Sequence, residues 1–166
     1  MKESTIYLSG VDYSIVREEF ISYPDHLNSI NSDLKFCTLS FGGVDPNNIT
    51  LLLTKVFSKY KWLKDDLKII LGPGYSHDIN LLLELVSSDQ IIQNPENMNE
   101  YFLSSYFVIT ALGVTIQELF SMGASTGLIT NYEEDLKDIQ NIRHFSKELH
   151  HSQSSNQISF YGHYKN

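Results

Sequence analysis

The sequence predicts an α/β fold in which a parallel sheet is covered by helices on both faces. Apolar, strand-like runs alternate with segments of helical periodicity along most of the chain. Two of these strand-like runs also end in a glycine turn that leads straight into a helix start. Strand and helix alternation of this kind indicates βαβ crossovers, and strands that are apolar throughout are typical of a sheet buried on both faces.

The regular part of the pattern begins with a strand over 35–41 and a helix over about 46–62. The apolar residues of this helix recur at i, i+3, i+4 and i+7, as they do in a helix packed on a sheet. The further strands predicted are 67–71, 90–93, 106–110 and 125–130, and the helices between them are 78–86, 94–104 and 115–122. A short apolar segment at 6–8, a helix over 13–21 and a loop over 23–33 precede this alternation. A charged helix over 133–150 follows it, and residues 158–161 offer an edge strand.

Composition and charge limit the classes of function. The 12 Lys and Arg against 20 Asp and Glu give a net charge of −8, which argues against a nucleic-acid binder because that function needs a basic face. The single cysteine, Cys37, falls within a predicted strand and cannot form an internal disulfide, so we expect a buried structural thiol and a cytoplasmic protein. No apolar run reaches membrane-spanning length, and no signal peptide precedes the first strand.

The first glycine turn follows the strand over 35–41 and is the leading candidate for a ligand contact. Gly42 and Gly43 allow a sharp turn with no side chain in the way of a ligand, Asp45 is a good helix N-cap, and Pro46 suits the first helical position. Such a junction presents free N–H groups to an anion such as a phosphate. The plainer interpretation is that strand-to-helix turns often contain glycine.

The turn after the next strand lies where it could line the same crevice. It contains Gly72, Gly74 and Tyr75, and a tight loop without a ligand explains these residues equally well. Later in the chain, Thr115 and Glu118 have the spacing of a capping box, in which each side chain satisfies an N–H group at the start of the helix.

No catalytic residue, metal site or cofactor is predicted on this chain. The adjacent pair His150 and His151 does not share a helix face and has no sensibly spaced third ligand, and His77 reads as a helix N-terminal residue. No Ser-His-Asp order, P-loop lysine or cysteine pair is present.

Five segments, in order, resemble the C-terminal half of the UDP-sugar hydrolases of pseudaminic acid biosynthesis and the related spore-coat polysaccharide proteins. These families belong to the two-domain, GT-B-type glycosyltransferase superfamily. The matching segments are residues 10–20 (GVDYSIVREEF), 40–48 (SFGGVDPNN), 70–75 (ILGPGY), the pair Asn97 and Met98, and residues 106–118. Together they span roughly residues 6 to 130.

The resemblance implies that this chain is the Rossmann-like half that holds UDP. It divides the chain into an N-terminal interdomain-type segment and helix over 1–34, a nucleotide-sugar-binding domain over 35–150 and a polar C-terminal tail over 151–166. In the family, the other half carries the histidine that looks catalytic. The UDP-sugar contacts expected here are Gly42, Gly43, Asp45, Gly72, Gly74, Tyr75, Asn97, Met98, Gly113, Val114, Thr115 and Glu118. In relatives the first turn of the last helix faces the diphosphate, the glutamate holds the ribose, and the Asn97–Met98 region lies near the uracil.

Two hypotheses follow. In the first, the chain is the UDP-sugar-binding half of a hydrolase or glycosyltransferase of surface polysaccharide or nonulosonic acid biosynthesis, and a separate subunit supplies the catalytic half. In the second, it is a non-catalytic interaction module that covers the old interdomain face by forming a homo-oligomer or by docking to another chain. Leu112, which replaces a family glycine, and Val114 make the former phosphate turn more apolar and favour the second hypothesis.

Overall fold

The computed structural model describes residues 6–7, 13, 15–21, 34–132, 135 and 160–163. Its centre is a six-stranded, all-parallel sheet with the strand order β3-β2-β1-β4-β5-β6. The strands are β1 (Phe36–Ser40), β2 (Leu67–Leu71), β3 (Ile91–Gln93), β4 (Ser105–Ala111), β5 (Thr126–Thr130) and β6 (Phe160–His163). This order is that of the Rossmann fold, and it confirms the predicted α/β class.

Helices lie on both faces of the sheet. They are α1 (Glu18–Ile21), α2 (Ile49–Phe57), α3 (Lys61–Asp65), α4 (Asn80–Leu83), α5 (Met98–Leu103) and α6 (Val114–Ser121), and a 3₁₀ turn lies at Ser88–Gln90. The alternation of side chains along β1 explains the two layers. Leu39 packs with Ile49 of α2 and Leu82 of α4, whereas the opposite face is covered by a cluster that contains Phe20, Phe102 and Leu119 from α1, α5 and α6.

Several element boundaries differ from those predicted. The helix predicted over 46–62 begins only at Ile49 and ends at Phe57, and α3 follows it as a separate helix. The helices predicted over 78–86 and 94–104 shorten to α4 and α5. The edge strand lies at Phe160–His163, which is shifted by two residues toward the C-terminus from the predicted range of 158–161. The helix predicted over 133–150, apart from residue 135, and the pair His150 and His151 lie outside the described residues.

The topology determines where a ligand site can form. From β1 the sheet grows in one direction through β2 and β3, and from β4 it grows in the other through β5 and β6. The loops after β1 and β4 therefore leave the sheet on opposite faces and open a crevice between them. In parallel α/β sheets, ligands bind at this point, outside the carboxyl ends of the strands.

Candidate functional site

Two adjoining cavities lie at the carboxyl edge of the sheet. The larger, of about 370 Å³, is lined by residues 41–46 after β1, residues 110–115 at the end of β4 and the start of α6, and Asn131 after β5. The smaller, of about 170 Å³, lies between the ends of β1, β2 and β3. Gly42, Gly43 and Thr115 line both cavities, so the two form one continuous crevice.

The N-terminus of α2 is closed by the chain's own side chains. The Asp45 carboxylate is buried and accepts hydrogen bonds from the backbone N–H groups of Ile49 and Thr50, both at 2.9 Å. The N-cap residue is Asn48, whose side-chain oxygen accepts from Leu51 N–H at 3.4 Å. The predicted N-cap at Asp45 and helix start at Pro46 are therefore wrong in register. The backbone N–H groups of Ile49, Thr50 and Leu51 are therefore not free to bind an anion.

The N-terminus of α6, in contrast, is open toward the described residues. Its N-cap residue is Gly113, and no side chain in the described part of the chain caps the helix. The predicted capping box of Thr115 and Glu118 is wrong, because Thr115 lies inside the first turn. Gly113, Val114 and Thr115 all line the larger cavity. An added Cβ at Gly113 would meet no atom within 4 Å, so there is room at this position for a side chain or a ligand group.

Glycines at the crevice have two different roles. A side chain at Gly43 would also meet no atom within 4 Å, which leaves room for a ligand, and Gly42 adopts a positive φ of 77° that favours glycine. Gly72 is packed against the backbone of the first turn, and Gly74 N–H donates to Gly43 O at 2.8 Å. The second glycine turn therefore supports the first one.

Four of the predicted contact residues line neither cavity. Glu118 is only 2% exposed, and Arg17 holds both of its oxygens, with Nε to Oε1 at 2.8 Å and Nη2 to Oε2 at 3.3 Å. Asn97 is the N-cap residue of α5 and donates to Glu100 at 3.2 Å. Gly74 and Tyr75 lie behind the first turn, where the Tyr75 hydroxyl donates to Asn48 Oδ1 at 2.9 Å and burial raises the pKa of Tyr75 to about 12.

The remaining predicted contacts do come together. Gly42, Gly43, Asp45, Gly113, Val114 and Thr115 line the larger cavity, and Gly72 and Met98 line the smaller one. Sequence reasoning missed Ser40, Asn94 and Asn131, which also line the crevice. The side-chain oxygen of Asn131 is buried and has no hydrogen-bond partner in the described part of the chain. The sequence did contain a signal for all three, because each is a polar residue that lies near the end of a predicted strand or directly follows one.

Charge is sparse in the crevice. Among the described residues that line the two cavities, one is charged, namely Asp45. Neither lining includes a lysine or an arginine. In the same described ranges, no group of three or more His, Cys, Asp or Glu residues could hold a metal ion. No described helix is long and apolar enough to cross a membrane. An anion here would depend on backbone N–H groups and neutral side chains.

The fold and the crevice define a Rossmann-like α/β protein with an open site at the switch point of its sheet. No protein-family model matches the chain, and no solved structure matches it at a significant level. The chain is similar to the uncharacterized protein MJ1062 of Methanocaldococcus jannaschii, with 29% identity over 144 residues that cover 82% of this chain. These residues span only 29% of the length of that relative.

Proposed function

We propose that the crevice binds a UDP-sugar and that this chain is the nucleotide-binding half of a larger hydrolase or glycosyltransferase assembly. The observation that carries the proposal is the open N-terminus of α6, which lines a 370 Å³ cavity at the switch point of the sheet. Helix ends with free N–H groups favour phosphate through hydrogen bonds and through the helix dipole. The similarity of five sequence segments to the UDP-binding half of known UDP-sugar hydrolases supports the nucleotide assignment.

The crevice offers complementary groups for the two parts of such a ligand. The first turn of α6 supplies N–H donors for the diphosphate, and the missing side chains at Gly43 and Gly113 leave room for it. Asn131 lines the same cavity, and its Oδ1, buried and without a partner in the described part of the chain, is an acceptor that a sugar or ribose hydroxyl would satisfy. Because Glu118 is bound by Arg17, we do not assign it to the ribose in this arrangement.

The sparse charge indicates which nucleotides fit best. One helix end carries the equivalent of about half a positive charge, and the only charged lining residue in the described ranges is the acidic Asp45. A sugar ester lowers the charge of the diphosphate by removing the ionisable oxygen at its end. We therefore expect UDP-N-acetylglucosamine to bind more tightly than UDP, and UDP more tightly than UTP.

Catalysis would require groups from outside the described part of this chain. In the proposed assembly, a second subunit or domain supplies the base that activates water at the anomeric carbon. The open end of α6 then stabilises the charge that develops on the departing diphosphate, as preorganised dipoles do. The longer relative is compatible with a second domain, since this chain spans less than a third of its length.

The experiment is a calorimetric titration of the chain with UDP-N-acetylglucosamine, UDP and UTP, repeated with Gly113→Asp and Gly113→Asn. Both substitutions offer α6 a capping side chain, and the φ of 163° at Gly113 is extended backbone that either residue adopts. Only the aspartate adds a negative charge where the phosphate is expected. We expect both variants to unfold at an equal or higher temperature and Gly113→Asp to lose at least tenfold more affinity than Gly113→Asn.

The outcomes of this titration are distinct. Equal affinities of the two Gly113 variants would place the phosphate elsewhere and contradict the role of α6. No binding at millimolar nucleotide would contradict the proposed function itself. The control is a charge-matched surface variant, Ser88→Asp, at the exposed start of the 3₁₀ turn before β3, because it changes the net charge equally and lies outside both cavity linings.

One observation favours the interaction module as a second candidate. Val44 and Val114 line the larger cavity and are 55% and 57% exposed, and Tyr132, one residue after Asn131, is equally exposed. Such apolar side chains at the mouth of a crevice suit coverage by a protein surface. A dimer seen by sedimentation velocity, together with no nucleotide binding and with loss of the dimer in Val114→Glu, would support this alternative.

A further inference from the structure

Ser40, the last residue of β1, carries a largely buried hydroxyl at the crevice. Ser40 is 1% exposed and lines the smaller cavity. In the sheet it lies between Ile70 of β2 and Thr110 of β4, on the face covered by α1, α5 and α6. No hydrogen bond of its hydroxyl is found within the described part of the chain. Its oxygen is not among the fully buried atoms without a partner in the described residues, which are Tyr106 Oη and Asn131 Oδ1, so it opens into the smaller cavity, where a ligand can reach it.

Several other buried hydroxyls of β1, β4 and β5 have protein partners. Thr38, two residues earlier on the same face of β1, shares a hydrogen bond of 2.6 Å with Ser105, and Ser105 donates to Tyr101 O at 2.7 Å. Thr110 donates to Ala111 O at 3.3 Å, and Thr126 donates to Ala124 O at 2.9 Å. The Tyr106 hydroxyl of β4 is also unpaired within the described residues, but Tyr106 lines neither cavity, so what sets Ser40 apart is its place at the crevice.

The surroundings of Ser40 include the start of α6, and no charged residue is among the described residues that line the smaller cavity. Thr115, in the first turn of α6, lines the same cavity, and that helix has eight residues and no side-chain cap. Its hydroxyl also makes no hydrogen bond to the described residues. The carboxylate of Asp45 lines only the larger cavity and is engaged by α2. Convergent hydroxyl and N–H donors around a space without a cation select a ligand group rich in acceptors, and a phosphoryl oxygen is such a group.

We propose that Ser40 is an anion-binding residue, whose hydroxyl donates a hydrogen bond to a phosphoryl oxygen held at the first turn of α6. The contact itself does not depend on the proposed function, but the identification of the phosphoryl group as part of a nucleotide-sugar rests on it. Ser40 and the first turn of α6 then contribute donors to the same phosphoryl group. If Ser40 has this role, its hydroxyl should strengthen ligand binding, and it should either lower the stability of the folded chain or leave it unchanged.

The test compares Ser40→Ala with Ser105→Ala. Both remove one buried serine hydroxyl from the sheet, but the hydroxyl of Ser105 has two protein partners and lies at the opposite end of β4 from the crevice. For each variant the melting temperature is measured without ligand, and the affinities for inorganic pyrophosphate, UDP and uridine are measured by calorimetry or NMR titration. Pyrophosphate contains the phosphoryl groups alone, and uridine lacks them.

We expect Ser40→Ala to keep or raise the melting temperature and to bind pyrophosphate and UDP about tenfold more weakly, which corresponds to about 1.4 kcal/mol. Its affinity for uridine should not change. Ser105→Ala should melt at a lower temperature and bind all three probes as the natural chain does. This combination would separate a hydroxyl kept for a ligand from one kept for the fold, since only the former trades stability for binding.

The outcomes that overturn the proposal differ from those that overturn the proposed function. If Ser40→Ala binds pyrophosphate and UDP as tightly as the natural chain, or melts as low as Ser105→Ala, Ser40 has no ligand role. If the natural chain binds pyrophosphate through Ser40 but binds UDP no more tightly, the anion site stands and the nucleotide assignment fails. If the natural chain binds neither pyrophosphate nor UDP, both proposals are wrong.

Discussion

Replacing Gly72 by alanine tests whether the two glycine turns of the crevice are pressed together as the structure has them. An added Cβ at Gly72 would lie 2.6 Å from Gly43 Cα and 2.9 Å from Gly43 O, and it would also strike Gly42 O. All of these atoms belong to the backbone, so they cannot move aside as the end of a flexible side chain can. The substitution therefore forces one turn away from the other.

The expected loss of stability follows from this geometry. Overpacking a tight site costs about 1–3 kcal/mol, and contact with three backbone atoms places Gly72→Ala near the upper end. For a chain of this size, a loss of about 3 kcal/mol lowers the melting temperature by about 6–12 °C. Because Gly74 N–H bonds to Gly43 O, the displaced turn also moves the floor of the ligand crevice, and nucleotide affinity should fall with stability.

The matched control is Gly43→Ala, which adds the same methyl group to the facing turn. Its Cβ would meet no atom within 4 Å, and its φ is not in the left-handed region, so the melting temperature should stay the same or rise slightly. Thermal unfolding followed by circular dichroism measures both variants. Equal melting temperatures for Gly72→Ala and Gly43→Ala would refute the close contact between the turns and, with it, the supporting role assigned to Gly72.

Three further predictions concern buried groups. Arg17→Ala should lower the free energy of unfolding, measured by urea titration, by about 2 kcal/mol, because the buried Glu118 carboxylate loses its partner. Adding Glu118→Gln removes the unpaired charge and should restore part of the loss. If stability is not restored, the buried ion pair is contradicted. Burial raises the pKa of the Cys37 thiol to about 12, so iodoacetamide at pH 8 should alkylate the chain only after unfolding, and fast alkylation of the folded chain would contradict that burial. Burial also raises the pKa of Tyr75 and Tyr106 to about 12. The folded chain then retains protons that the unfolded chain releases, so the free energy of unfolding should fall as the pH rises from about 9 to 12, and a flat profile there would argue against the shifts.

The fold class was predictable because the strands are buried on both faces and are therefore mostly apolar. In Leu67–Leu71 four of the five residues are apolar and buried, and the fifth, Lys68, is half-buried. Helix boundaries were less accessible. Asp45 and Asn48 are both good N-cap residues, and the sequence alone does not reveal that both adopt positive φ and act together on one helix end.

The candidate site was predictable in outline but not in the roles of its residues. Glycine at position 72 has the same sequence signature whether it leaves space for a ligand or for another backbone, and its contact lies 30 residues away at Gly42. Glu118 has the spacing of a capping residue, but its partner is Arg17, 101 residues earlier. Only contacts that are distant in sequence distinguish these roles, so local pattern alone could not assign them.

The two helix starts at the crevice, taken together, explain how an acidic chain could select its ligand. Asp45 closes the end of α2 and remains as a fixed negative charge on one wall, whereas α6 opposite offers free N–H groups and no charge. A ligand with one or two phosphoryl groups can keep its charge near α6 and away from Asp45. A third phosphoryl group would extend toward the carboxylate with no lysine or arginine among the described lining residues to balance it. Selection against triphosphates would then arise from the capping of α2, because the same carboxylate that stabilises the fold repels the longer ligand.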